Sequence, residues 1–189
     1  MFINEEEDHD GIEEEDAGVR VDWSPDFHWL TDRIAVGGWF PIDRAGELRE
    51  EHDIRAIVDL RAEDCDDEAQ LRAAGIELLH LPTPDLEPAR HDHLERGVAF
   101  VRECTQRGDK VLIHCQHGIG RSALLALCAL VDEGWEPLDA LEHMKERRSV
   151  VSPSRSQYEG WAKWLKSRGL DAPDYHSFGC IAYRHLAQG

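Results

Sequence analysis

One stretch constrains the fold of this chain more than any other: Val111-Leu112-Ile113-His114-Cys115-Gln116-His117-Gly118-Ile119-Gly120-Arg121-Ser122. Val111–His114 reads as a buried strand. Ser122–Glu133 is apolar nearly all round, through Leu124, Leu125, Ala126, Leu127, Cys128, Ala129, Leu130 and Val131. A helix without a polar face has to be covered on every side. A buried strand that turns at once into a buried helix implies an α/β sheet wrapped by helices. The turn itself has particular physics. A loop wrapped round one point aims successive backbone N–H groups inward, and the helix N-terminus behind it adds positive potential, so the loop is an anion nest. Gly118 and Gly120 supply the positive φ values and close backbone approach such a wrap needs. Arg121 can fork two hydrogen bonds onto an oxyanion, which lysine cannot do. A thiol at the centre of that field is expected to ionise near neutral pH. Depression from ~8.5 into the ~3.5–7.5 range corresponds to roughly 1.4–7 kcal/mol of thiolate stabilisation. Cys65, Cys104 and Cys128 carry Leu71, Lys110 and Gly134 at the offset where Cys115 carries Arg121, and none of them sits at such a turn.

The remainder of the chain supports the same architecture. Short apolar runs bounded by Gly, Pro or Asp predict strands at Arg33–Val36, Ile54–Leu60 and Ile76–Leu81, besides Val111–His114. Helical patterns fall at Asp43–His52, Asp67–Ala74 and His91–Arg107, the last with Leu94, Val98, Val101 and Thr105 on one face and Gly108 as its stop. Pro137–Arg148 and a final helix opening at Ser152-Pro153 and running to Gly169 complete the set. The expected fold is α/β, a single central, mostly parallel sheet covered by helices, with no internal repeat. Residues 1–20, containing the charge block Glu5–Asp16, are expected to form a solvated, disordered acidic tail. Residues 171–189 lack a clear period and are expected to be a loosely docked C-terminal tail. Trp23, Trp29, Trp39, Trp161 and Trp164 are read as packing residues, and His9 as part of the solvated tail.

Composition narrows the function classes. Asp and Glu number 39 against 21 Lys and Arg, a formal charge of −18, which argues against nucleic-acid or anionic-membrane partners because both need cationic patches. No run reaches the ~18 apolar residues of a transmembrane helix, and no signal-peptide core is evident. Five cysteines without clustering suit free thiols in a reducing cytoplasm, and a monomer is expected. Only four basic residues are lysines and 17 are arginines. An acid-rich, lysine-poor surface fits solubility in concentrated salt, and a GC-rich genome with one acidic tail would give the same composition.

His114-Cys115-x5-Arg121-Ser122 resembles the signature of the cysteine-dependent protein tyrosine phosphatases, and Gly118–Arg121 in so short a domain most resembles the small dual-specificity phosphatases. The similarity extends over Trp29 to Pro41, Ile57–Arg61, Leu81-Pro82-Thr83-Pro84-Asp85 and Arg148 through Gln157, about Trp23 to Leu165 in all. Residues 21–170 are accordingly read as the catalytic domain. The resemblance implies hydrolysis of phosphomonoesters, phosphotyrosine and/or phosphoserine/threonine in proteins, without metal or cofactor. By the same resemblance Cys115 attacks phosphorus. Arg121 and the amides of Gln116, His117, Gly118, Ile119 and Gly120 bind the phosphoryl oxygens. Ser122 stabilises the departing thiolate, His114 braces the loop, and Asp85 is the general acid and then base. Asp92 and Glu87 are alternative acids should the loop fold differently. Ala123 stands where the family usually has Gly. Neither Cys65 nor Cys104 sits where a disulfide partner for Cys115 is expected. The competing readings are a phosphate-binding pseudophosphatase that recognises phosphorylated partners, a phosphatase of small phosphoesters, and a sulfur- or arsenate-handling protein with a similar loop. The first predicts a missing nucleophile, arginine or acid, and all three are present. Gln116, His117 and Ile119 include no lysine, which makes polyphosphorylated inositols weaker substrates.

Overall fold

The computed structural model describes residues 23–188, so the expected acidic tail at 1–20 lies outside the described residues. Five strands form one sheet: β1 (Phe27–Trp29), β2 (Ile34–Gly37), β3 (Ile54–Arg61), β4 (Glu77–Thr83) and β5 (Lys110–His114), in the order β1-β2-β5-β3-β4. Only β1 runs antiparallel to its neighbour. β5 is central because its apolar run has no polar face to offer solvent: Val111, Leu112, Ile113 and His114 are all buried. Register sets the site. Gly37 of β2 and Asp59 of β3 both pair with His114, so three strands end together where the cysteine loop begins. In open α/β sheets, ligands bind outside such carboxyl ends.

Helices cover both faces. α1 (Ala45–Glu50) and α2 (Glu68–Ala73) close one side over Ile57, Leu71 and Leu112. On the other side α3 (His91–Arg107), α4 (Arg121–Asp132), α5 (Pro137–Arg147) and α6 (Arg155–Ser167) pack in one core with Val58, Ile113, Trp161 and Trp164. α4 buries every residue except Asp132, as its composition requires. Ala123 is fully buried within its first turn.

The predicted elements are present with boundaries moved by a residue or two, and four readings need correction. The buried face of α3 continues through Cys104 rather than Thr105. α6 starts later than expected: Ser154, not Ser152, is the N-cap, in a capping box with Gln157. Trp39 is exposed, whereas Trp161 and Trp164 are buried as read. Among the described residues, 171–188 are not a loose tail. Tyr175–Ala182 form α7, capped by Asp174, and bury Phe178 and Ala182 beside Tyr158 and Trp161. Tyr158 and Tyr183 hydroxyls tie this segment down by donating to the carbonyls of Pro173 (2.6 Å) and Pro153 (2.7 Å). No helix among the described residues is long and apolar enough to cross a membrane.

Candidate active site

Cys115 is the first residue after β5, and its loop wraps back to the N-terminus of α4. The Sγ lies 3.3 Å from Ser122 Oγ at the base of the helix. Burial pushes the Cys115 thiol up. The Ser122 hydroxyl and the amides of Ser122, Gly118 and His117 outweigh burial and hold it below its ordinary value. Cys104 shows the contrast: burial outweighs the single Arg107 guanidinium that donates to its Sγ at 3.3 Å and raises it to about 11. All five cysteines are free.

The loop keeps its shape because its carbonyls are gripped from outside. Arg148, at the end of α5, donates from Nε to Gly118 O (2.8 Å) and from Nη2 to His117 O (2.9 Å). Its guanidinium also makes a forked pair with Asp26, at 2.8 and 2.9 Å. The Trp39 amide donates to Gln116 O at 3.1 Å. Of the two loop glycines only Gly118 has positive φ, at 66°. Gly120 has φ −119° and serves close approach instead, since a Cβ there would lie 2.5 Å from Gln157 Oε1.

Arg121 is buried, and Glu63 holds one edge of it, accepting from Nη1 at 2.6 Å and Nη2 at 2.8 Å. That hydrogen-bonded pair pulls the Glu63 carboxyl down to about 2. Nη1 also donates to Thr83 O at 3.0 Å. Arg121 Nε is a buried donor with no hydrogen-bond partner, 3.4 Å from Asp85 Oδ1. With the Nη1–Nη2 edge occupied, the Nε side is left for an oxyanion. Gln157 offers a second buried donor without a partner, Nε2, its Oε1 being used by the Ser154 amide at 2.9 Å. Asp85, Leu86, Cys115, His117, Ile119, Gly120, Arg121, Ser152 and Gln157 line a cleft of about 140 Å³. Asp85 therefore joins the cysteine. Asp92 pairs instead with Arg90 at 2.9 Å, and neither it nor Glu87 reaches the cleft lining.

His114 is fully buried behind the loop. Its Nε2 meets Asp66 Oδ2 at 2.8 Å and its Nδ1 lies 3.4 Å from Cys115 O, so both nitrogens face acceptors. Asp66 in turn accepts from Arg61 Nη2 at 2.6 Å, and Arg61 forks onto Asp59 through Nε (3.1 Å) and Nη2 (2.9 Å). Burial opposes charge on His114, and the Asp66 hydrogen bond with Asp59 nearby overcomes it, holding the imidazole above its ordinary value. A basic group whose folded pKa is raised stabilises fully below its unfolded value and stops stabilising as pH rises through the folded one. The urea midpoint of the wild type should therefore exceed that of His114→Asn most at acidic pH. The margin should shrink as pH rises from about 6.5 through the raised value. Parallel profiles for the two proteins would contradict the ion pair.

The residues named from the sequence come together: Cys115, Arg121 and Asp85 at one cleft, Ser122 against Sγ and His114 behind the loop. Sequence reasoning missed Glu63, Asp66 and Arg148 and gave Gln157 no role. The contacts that give Glu63, Asp66 and Arg148 their place, with Arg121, His114, Asp26 and the loop carbonyls, span 30 to 122 residues, so no local pattern marks them.

A parallel sheet, an anion loop at its carboxyl end and a thiol seated before a helix N-terminus make up the fold of the protein tyrosine phosphatases. The family model described as "Dual specificity phosphatase, catalytic domain" matches residues 43–165, and the chain belongs to that family. Human dual specificity protein phosphatase 22 is 28% identical over 123 residues, 57% of this chain and 65% of that protein. Its Xenopus tropicalis counterpart is 30% identical over 116 residues, 53% of this chain and 54% of that protein. The chain thus spans between about half and two thirds of these relatives' length. Among solved structures, Tk-PTP in the active form superposes with a TM-score of 0.69 at 25% identity, covering 75% of this chain and 97% of that one. PTPMT1 in complex with PI(5)P gives 0.70 at 24%, covering 75% and 95%, a likeness of fold.

Proposed function

We propose that this chain hydrolyses phosphomonoesters, phosphorylated proteins foremost, through a cysteinyl-phosphate. The observation that carries this reading is the Cys115 thiol held among the Ser122 hydroxyl and three backbone amides, beside a buried Arg121 whose Nε has no hydrogen-bond partner and faces Asp85. In the first step Cys115 Sγ attacks phosphorus in line as the P–O bond to the alcohol breaks, and Asp85 gives its proton to the leaving oxygen. Arg121 and the loop amides bind the three equatorial oxygens, the positioning that phosphoryl transfer mainly needs. In the second step water attacks phosphorus, Asp85 takes its proton, and the S–P bond breaks to a thiolate that Ser122 stabilises. Gln157 Nε2 is a donor to phosphate oxygen or incoming water. Glu63 and Arg148 are positioning residues, acting through Arg121 and the loop carbonyls.

A phosphate-binding module without activity is disfavoured because nucleophile, arginine and acid stand at one cleft. Polyphosphorylated inositols are disfavoured by the absence of lysine at Gln116, His117 and Ile119. The charge of −18 and the free thiols support a monomer working in a reducing cytoplasm, and the acid-rich composition supports activity in concentrated salt.

Metal-free hydrolysis assays at low and multimolar salt test the reading. Asp85→Asn should lose roughly 10²–10⁴-fold in kcat with a phosphoserine peptide, whose alkoxide needs a proton to leave. With p-nitrophenyl phosphate, whose leaving group is a far weaker base, the loss should be several times smaller. Equal losses on both substrates would remove Asp85 from the acid role.

A further inference from the structure

Leu86 follows the acid Asp85 and adopts φ 62°. Among the described residues only Asp53 joins it as a non-glycine residue with positive φ, and aspartate tolerates that region far better than leucine. The strain has a local cause. The Glu87 amide donates to Pro84 O at 3.3 Å, closing a turn with Leu86 at its third position, where positive φ calls for Gly or Asn. The turn is pinned by a second element, since Ser154 Oγ, the cap of α6, donates to Leu86 O at 2.7 Å. The outcome is a leucine 66% exposed that lines the same cleft as Cys115, Arg121 and Asp85. Leu86 and Ile119 are the only large apolar side chains of that lining. Backbone strain that holds an apolar side chain at a reactive cleft points to a use for that side chain.

We propose that Leu86 is a specificity-determining residue, an apolar wall that packs on the alcohol portion of the substrate next to phosphorus. This inference rests on the phosphomonoesterase reading and narrows it to esters of aryl alcohols over those of polyols. An aromatic ring covers the leucine and removes apolar surface from water. A polyol placed there gives up hydrogen bonds to water and finds none in return.

Binding calorimetry on Cys115→Ser protein separates affinity from turnover, with phenyl phosphate, glycerol 2-phosphate and inorganic phosphate as probes. Phenyl phosphate should bind several-fold tighter than glycerol 2-phosphate. Adding Leu86→Asn, which keeps a residue suited to positive φ, should weaken phenyl phosphate by about three- to tenfold and leave inorganic phosphate unchanged. Leu86→Met, which keeps an apolar side chain, should stay within about twofold. Leu86→Asn should melt no lower than its parent, because the site is strained and exposed. Unchanged preference in Leu86→Asn, or an equal loss for all three probes, would overturn the proposal while leaving the phosphomonoesterase reading in place. Failure of the parent to bind inorganic phosphate would overturn both.

Discussion

Arg121→Lys is expected to lower kcat on an aryl phosphate by roughly 10³–10⁵-fold, the scale on which a transition-state arginine matters in phosphoryl transfer. The reason lies in how the guanidinium is divided. Glu63 takes the Nη1–Nη2 edge and the Thr83 carbonyl takes a further Nη1 position, while Nε makes no hydrogen bond and faces Asp85 beside the cleft. One planar group is thus anchored on one side and free on the other. An ammonium at the end of a flexible stem cannot do both, and in the variant it would be drawn to Glu63. The loss should fall mainly on kcat, since the fork matters most when charge spreads over the equatorial oxygens. Steady-state kinetics with a melting curve on the same protein checks this. A folded lysine variant within tenfold of wild type would contradict the assigned role.

Gly118→Ala should be nearly as damaging by a different route. At φ 66° a side chain costs about 1–2 kcal/mol from backbone conformation alone. The added Cβ would also lie 2.4 Å from the Gly37 carbonyl carbon and 2.6 Å from Arg148 Nη2. Neither can retreat cheaply, because Gly37 belongs to β2 and Arg148 is tied to Asp26 and the loop carbonyls. The expected cost is about 2–4 kcal/mol, a fall in melting temperature of roughly 5–15 °C, with activity reduced at least a hundredfold by displacement of the loop amides. Gly134→Ala is the control: its φ is 100°, but a Cβ there meets nothing within 4 Å. It should show the conformational cost alone and keep full activity. Equal stability of the two variants would mean that the loop yields where it is described as clamped.

The central strand, the loop and α4 were legible in the sequence because their information is local. Val111–His114 has no polar face, Ser122–Val131 has none either, and Cys115 and Arg121 are spaced across the turn between them. Asp85 was legible through resemblance, and its place beside Arg121 depends on how the Pro84–Glu87 turn folds. What holds the loop was not legible. Arg148 reaches Asp26 across 122 residues, and Glu63 reaches Arg121 across 58, pairings that single-residue patterns do not encode. Of the two reasons read for Gly120, close approach holds, set by Gln157, and positive φ does not. β1 was missed because three residues are too short to show a period, and α7 because its eight residues are apolar without a charged face.

The proposed hydrolysis turns on a covalent bond to one sulfur, that of Cys115. Acid-quenched mass spectrometry of Ser122→Ala protein, mixed with excess p-nitrophenyl phosphate in the presence of a chelator, tests it most directly. Without the hydroxyl 3.3 Å from Sγ, the thiolate leaves more slowly and the intermediate should accumulate. The predicted result is one phosphoryl group on the peptide containing Cys115, lost on incubation in water, and neither adduct nor turnover in Cys115→Ser. Turnover that survives Cys115→Ser, or a phosphoryl group on any other residue, would contradict it.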